Sequence, residues 1–509
     1  MNHPLQQNES LSNYCQTLDE LLILRNDIID RAQTRMATNT YEWPKQDREY
    51  SAMTLSTYLA FRHHDIRPLQ DKLADLGLSS LGRGESNILE NIERVINLLM
   101  LLVNRDNVFQ SPPKQWRHDK FSGKRILSGR NDILFGKAKD GQYTRIMITL
   151  PSEAARGHSL IKNLISNGMH CARINCAHDT SVDWKRMVSH IHEAKLESGS
   201  ECKIFMDLAG MKIRTGSLSI KKHIDTKIRL YEGDSFELRC DVKSSVPASI
   251  NPKTDEQTPA IVACGADAFL PYVKIGDSVW IDDGKVGCII ESMDERGLQL
   301  RVTHAGPKGV RIKADKGINF PDTLLKLPVL TEKDLADLDF VCEHADIVGL
   351  SFVQSAEDLQ QLFVELSKRD STMPVVAKIE TRQAIEKLPE ILFKGLSYPG
   401  EFAIMIARGD LAVELGSVRM AEIQEEILWL CEAAHVPVIW ATQVLESLAK
   451  KGIVSRPEIT DAAMSVRAEC VMLNKGDYIN SAVLILRDIL SRMQAHQYKK
   501  VSRLRALHW

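Results

Sequence analysis

The feature that most constrains this chain is an alternation that begins near Arg145. Eight short apolar runs follow one another: Ile146–Leu150, Cys171–Asn175, Ile204–Leu208, Ile347–Phe352, Val375–Ile379, Ala403–Ala407, Pro437–Ala441 and Cys470–Leu473. Helical patterns lie between them, for example Ser159–Asn167, Val182–Leu196, Leu359–Lys368 and Met420–Ala434. Short β-branched runs bounded by turn residues read as buried strands, and crossover helices join strands that run parallel. Eight such repeats predict an α/β fold, a closed (β/α)8 TIM barrel. One repeat is interrupted. Between the third strand and its helix lie about a hundred residues, Ser217 to Lys316, rich in Gly and short β-like runs, which predict an inserted β domain placed as a lid over the barrel mouth.

The segment before the barrel has another character. Leu18, Leu21, Leu22, Leu24 and Ile28 recur at helical spacing, as do Leu59, Ile66, Leu69, Leu73 and Leu76, and a third helix is expected from Ser86 to Val103. A loop rich in Pro, Lys and Arg is expected from Asn104 to Arg130. His63 and His64 are adjacent and so leave different helix faces, which favours surface residues over metal ligands. The expected organisation is a helical N-terminal domain (1–140), barrel (141–216 and 318–509) and lid (217–317).

Charge and composition exclude several classes. The formal net charge is −2, so there is no basic field for nucleic acid. The most apolar stretch, Val95 to Val103, is too short to span a bilayer, and the polar N-terminus has no signal core. The ten cysteines include no Cys-x-x-Cys pair, and several sit in strand-like runs. That pattern favours reduced thiols in a cytoplasmic protein over disulfides or zinc.

In a barrel of this kind the active site lies at the C-terminal ends of the strands. Those ends carry Arg173 and Asn175 (second strand), Asp207 (third), Lys378 and Glu380 (fifth), Arg408, Gly409 and Asp410 (sixth) and Thr442 (seventh). Lys378 and Glu380 are two apart on one strand and therefore face one side together. Glu380 and Asp410 could hold a hard cation such as magnesium. Arg173 and Lys378 supply fixed positive charge, and Gly409 lets backbone amides approach an anion. These are the parts phosphoryl transfer needs, since that chemistry rests on positioning and charge stabilisation. A ring of salt bridges stabilising the barrel mouth is the alternative reading of the same residues.

The runs ARINCAHD (172–179), MDLAGMKIRTG (206–216), AKIET (377–381), ARGDLAVEL (407–415) and WATQVLES (440–447) resemble the pyruvate kinase family, and IDDGKVG (281–287) resembles the family's lid. The resemblance covers Arg145 to Met493. It implies phosphoryl transfer from phosphoenolpyruvate to ADP in glycolysis, giving pyruvate and ATP, in a homo-oligomer. By the resemblance, Lys378 stabilises the phosphoryl group in flight and the enolate behind it. Glu380 and Asp410 hold magnesium. The amides at Gly409 and Asp410, with Thr442, take the substrate carboxylate, and Thr442 helps deliver a proton to the enolate carbon. Arg173 contacts the transferred phosphate, Asn175, His178 and Arg214 face the nucleotide, and Pro151 borders the adenine.

The sequence also departs from the family. Ala177 stands where the family has Ser, Met211 replaces Pro, and Asn474-Lys475-Gly476-Asp477 is shorter than the family's segment. Lys212 stands where potassium-dependent members have Glu. Placed near Asn175 and Asp207, its ammonium would supply the charge of a monovalent ion, so no potassium requirement is expected. The sequence stops soon after the last barrel helix, so the family's C-terminal regulatory domain is expected to be missing, with the N-terminal helices present instead. Two other functions stay open: a kinase or lyase acting on another enolate or keto acid, and a non-catalytic protein using the barrel as a scaffold. The partner of residues 1–140 is not legible.

Overall fold

The structure is a computed structural model that describes residues 4–105, 122–137, 141–218, 228–250 and 257–503. Eight parallel strands close into a barrel: β1 (Arg145–Thr149), β2 (Cys171–Asn175), β3 (Lys203–Asp207), β4 (Ile347–Leu350), β5 (Val375–Ile379), β6 (Phe402–Ala407), β7 (Val438–Ala441) and β8 (Cys470–Leu473). The last pairs back onto the first, with Ile148 opposite Leu473. The fourth strand ends earlier than its apolar run, because Phe352 takes a φ of 55° and turns the chain out of the ladder.

Alternation along the strands explains the site. Met147, Cys171, Phe205, Ile347, Val376, Met405, Ile439 and Cys470 form one cluster inside the barrel. Their neighbours Ile146, Ile148, Ala172, Ile204, Val375 and Ala377 belong to the outer core under the helices. Side chains two apart share a face. The next inward positions are therefore Thr149, Arg173, Asp207, Gly349 and Lys378, a polar layer resting on an apolar one. Gly349 is small for a reason: a Cβ there would lie 2.5 Å from the Phe205 ring and 2.8 Å from Asp207 Oδ1.

The inserted segment forms a six-stranded sheet of Ala260–Ala263, Ser235–Arg239, Gly297–His304, Val286–Asp294, Ser278–Ile281 and Ile318–Asn319, in that spatial order. It has its own core around Phe236, Phe269 and Phe320. Its root is a backbone clasp: Arg214 bridges Gly317, and Thr215 N–H donates to Lys316 O at 2.8 Å.

Before the barrel stand α1 (Pro4–Thr38), α2 (Gln46–Phe61), α3 (Arg67–Asp75), α4 (Ile88–Leu102) and α5 (Gly123–Phe135). The leucine pattern from Leu59 to Leu76 is two helices rather than one, because Pro68 sits in the first turn of α3, where a missing N–H is harmless. The expected loop to Arg130 is also corrected: residues 106–121 lie outside the described residues, but Ser122 caps α5, its side chain accepting from Arg125 N. The end of α5 puts Leu134 and Phe135 into the interior barrel cluster. Helix α2 packs against the barrel's outer helices Leu388–Leu396 and Ser417–Ala433. Arg48, fully buried on α2, donates to Gly400 O at 3.0 Å and pairs with Glu401 at 2.7 Å. His435, also fully buried, lies against this helix, with Ser51 Oγ 3.0 Å from Nδ1 and Ser86 O 3.1 Å from Nε2. His64 meets Asp27 at 2.8 Å, and His63 is exposed. No described helix is long and apolar enough to cross a membrane.

Candidate active site

The polar layer at the top of the barrel converges on Lys378. Its Nζ lies 3.0 Å from Glu380 Oε1 and 3.3 Å from Asp207 Oδ2, and donates to Ser351 Oγ at 2.8 Å. All four are buried. Arg173 approaches Asp207 from the other side, with Nε 3.1 Å from Oδ2 and a second, shorter contact from NH2, while its NH1 donates to Thr149 Oγ1 at 3.0 Å. Burial alone would neutralise the Lys378 ammonium, but Asp207 and Glu380 outweigh it and hold the pKa above the ordinary lysine value. Asp207 follows the same logic: burial pushes its carboxyl up, and Lys378 and Arg173 overcome this and hold it low. Glu380 is different. Burial raises its pKa, Lys378 opposes, and the charges of Asp410 and Asp207 add to the rise. Its Oε2 accepts from the Phe352 N–H at 2.8 Å.

The sixth and seventh strands meet through Thr442. Gly409 N–H donates to Thr442 Oγ1 at 2.8 Å, and Arg408 NH2 donates to Thr442 O at 2.7 Å. Thr442 has a φ of 65°, and Gln443 and Leu445 follow at 59° and 46°. A left-handed β-branched residue is strained, and such residues persist where surrounding bonds fix them. Arg408 is itself fixed by a bidentate pair with Asp461 and stacks over Trp440 at 4.5 Å. The Gly409 amide, assigned by the resemblance to a substrate carboxylate, is thus taken by the Thr442 hydroxyl oxygen.

Lys212 is the main correction. Its Nζ lies 2.5 Å from Asp410 Oδ1, across 198 residues of sequence, and not beside Asp207. The cations on Asp207 are Arg173 and Lys378. Asn175 uses its side-chain Oδ1 to accept from Ala177 N at 3.0 Å. The three residues grouped as a monovalent-cation region are therefore divided between two places.

A cavity of about 230 Å³ opens beside Arg173, Asn175 and His178, closed by Lys450 and Lys475. Burial lowers the His178 pKa, and Lys475 and Arg214 lower it further. Arg214 stands at the lid root and donates to Asp315 O at 3.2 Å. A second cavity of about 320 Å³ lies between lid and barrel, lined in part by Met211, Lys212, Phe352, Thr381 and Glu414. Burial raises the Glu414 pKa to about 7. Ser351, Lys450 and Glu414 were not legible as site residues, whereas Lys475 belongs to the shortened segment 474–477 already noted in the sequence. Ser351 lies one position beyond its strand end, a signal that could have marked it.

Residues 142–483 match the family model described as pyruvate kinase, barrel domain. The pyruvate kinase PKLR of Rattus norvegicus is 30% identical over 371 residues, 70% of this chain and 61% of that protein. A pyruvate kinase of Dictyostelium discoideum is 30% identical over 356 residues, covering 68% and 65% of the two chains. One of Corynebacterium efficiens is 30% identical over 335 residues, 65% of each. The chain thus spans somewhat under two thirds of the length of these curated relatives. The family model covers the barrel whose strand ends carry the buried lysine and its carboxylates: the chain belongs to the pyruvate kinase family.

Proposed function

We propose that this chain is a phosphotransferase of the pyruvate kinase type, which moves the phosphoryl group of phosphoenolpyruvate to ADP in glycolysis and gives pyruvate and ATP. The observation that carries this is Lys378. A buried ammonium kept charged by Asp207 and Glu380 at the centre of the barrel mouth is positioned to meet an anion in transfer. Arg173, held by Asp207 and Thr149, points a second cation at the same space. The 230 Å³ cavity beyond it, with Asn175, His178 and Lys475, suits nucleotide phosphates, and Arg214 at the lid root would close over them. Thr442, locked by Gly409 and Arg408, keeps its hydroxyl hydrogen free to donate while its oxygen accepts.

The chemistry of the donor set fits a hard divalent cation. Glu380 is buried with its charge disfavoured by Asp410, and a cation held by both carboxylates would remove that conflict. Magnesium there would supply positive charge to the substrate's oxygens. Lys212, on Asp410, must share that carboxylate with the metal or leave it. Cytoplasmic location and a homo-oligomeric state belong to the same proposal, as does activity without potassium. Ala177 offers no side-chain oxygen, and Asp207 already has two cationic partners. A kinase or lyase on another enolate would share Lys378 but use a different phosphoryl acceptor or none.

The test is a coupled assay of the purified chain with phosphoenolpyruvate, ADP and magnesium. Pyruvate and ATP should form in equal amounts. Absence of turnover across magnesium and manganese titrations, with phosphoenolpyruvate still bound, would reject the kinase reading in favour of a binding protein.

A further inference from the structure

Cys240 and Cys264 stand side by side at the edge of the lid sheet. Cys240 follows the strand Ser235–Arg239, and Cys264 follows Ala260–Ala263. These strands are parallel neighbours with Arg239 opposite Ala263, and the ladder runs one step further, Cys264 N donating to Arg239 O at 2.7 Å. Adjacent strands lie about 4.7–4.9 Å apart, inside the Cα window of about 4.4–6.8 Å that a disulfide spans. The two sulfurs converge on one acceptor: Cys240 Sγ lies 3.3 Å and Cys264 Sγ 3.2 Å from Ala266 O. The proximity of the two sulfurs holds Cys264 below the ordinary thiol value and Cys240 above it. Burial instead raises the thiols of Cys171, Cys176, Cys202, Cys288, Cys431 and Cys470. Cys264 is buried, while Cys240 is half-buried and open to a reagent.

The pair also sits at the lid root. Cys264 bridges Thr215, Gly216 N donates to Ala263 O at 2.7 Å, and Gly265 N donates to Arg214 O at 3.1 Å. We propose that Cys240 and Cys264 are a reversible redox site, a dithiol that a low-molecular-weight disulfide converts to an intramolecular disulfide tying the lid's edge strand to its neighbour.

One thiolate of the pair attacks a sulfur of the oxidant, breaking its S–S bond, forming a mixed disulfide and expelling one thiolate. The second cysteine loses its proton and attacks the protein-bound sulfur, expelling the second thiolate. The protein loses two protons and two electrons, which the oxidant takes up as it leaves as two thiols. Nothing in this step requires the barrel chemistry.

The experiment treats the reduced full chain with oxidised glutathione, alkylates the remaining thiols, and maps peptides by mass spectrometry. Cys240 and Cys264 should leave the alkylated pool about ten-fold faster than the other cysteines and reappear as one linked peptide that dithiothreitol releases. Cys264→Ser should stop at a glutathione adduct on Cys240. Amide hydrogen exchange, which needs no variant, should slow across 260–266 after oxidation. Absence of the linked peptide in the unmodified chain, or a stable adduct on Cys240 there, would overturn the proposal.

Discussion

Replacing Lys378 by Met tests the site most directly, because the structure separates two consequences. The ammonium serves Asp207, Glu380 and Ser351 at once. Its loss removes charge stabilisation from the transfer step, which typically costs about a hundred- to a thousand-fold in kcat, roughly 3–4 kcal/mol. It also leaves buried carboxylates short of a partner, and breaking a buried pair from one side costs about 3–5 kcal/mol. Two contacts limit that cost. Asp207 keeps Arg173, and Glu380, whose pKa is already raised, can take up a proton. Folding stability should therefore fall by less than the full range, and by less still at acid pH. The sign follows from the groups left behind. A carboxyl with a raised folded pKa is most stabilising when protonated, below its unfolded value, and loses stability as pH rises through the folded one. Lys378→Arg separates the effects: it restores charge and most of the stability, but its planar fork cannot take the place of a compact ammonium, so turnover should stay low. The assays are kcat from the coupled reaction and urea unfolding of both variants at pH 5.5 and 7.5. A Met variant with kcat within about three-fold of the parent would refute the assigned role of Lys378.

Other expectations follow from the same contacts. Glu380→Gln and Asp410→Asn should each raise the magnesium concentration needed for half-maximal rate by about ten-fold or more, read from metal titrations. Lys212→Met should lower it, since it removes the ammonium 2.5 Å from Asp410; an unchanged titration would show that the pair does not compete with metal. Turnover in buffer with an organic counter-cation should match that with potassium added, and a many-fold rise on adding potassium would reject the expectation. His435 is buried neutral with its pKa lowered to about 3 by burial and then by Arg130. The unfolded chain binds the proton first, so stability is complete above about pH 6.5 and falls by up to about 1.4 kcal/mol per pH unit below it, down toward pH 3. Unfolding of His435→Gln should lack that component of the acid slope.

The barrel was legible because its signal is local. A strand such as Val375–Ile379 announces itself by five buried residues in a row, and the parity of Val376 and Lys378 carries the site with it. What stayed hidden depends on distance along the chain. Lys212 was assigned to Asp207, five residues away, whereas the fold brings it to Asp410 through the turn that leaves β3. Ser351 carries no motif, yet it holds Lys378. The left-handed turn at Thr442 could not be foreseen from WATQ, because its strain is imposed by Gly409 and Arg408. Helix α5 was hidden by the polar stretch before it, although Ser122 and the pairs Ile126-Leu127 and Leu134-Phe135 marked its start and its inner face.

The docking of α2 on the far end of the barrel has a consequence in time. Arg48 finds its partners at Gly400 and Glu401, and Ser51 meets His435, so these bonds join residues about 350 to 380 positions apart. At about 5–20 residues per second of synthesis, α2 must wait on the order of 20 to 80 seconds after leaving the ribosome before its partner surface exists. During that interval the N-terminal partners of α2 are α1, α4, the turn Glu85–Asn87 and α5, whose Arg130 pairs with Asp47 at 2.9 Å. The long first helix packs on α2 and α4 and can cover part of that face before the barrel exists. Slowing or speeding synthesis over the barrel should therefore change how long α2 stays without its partner surface.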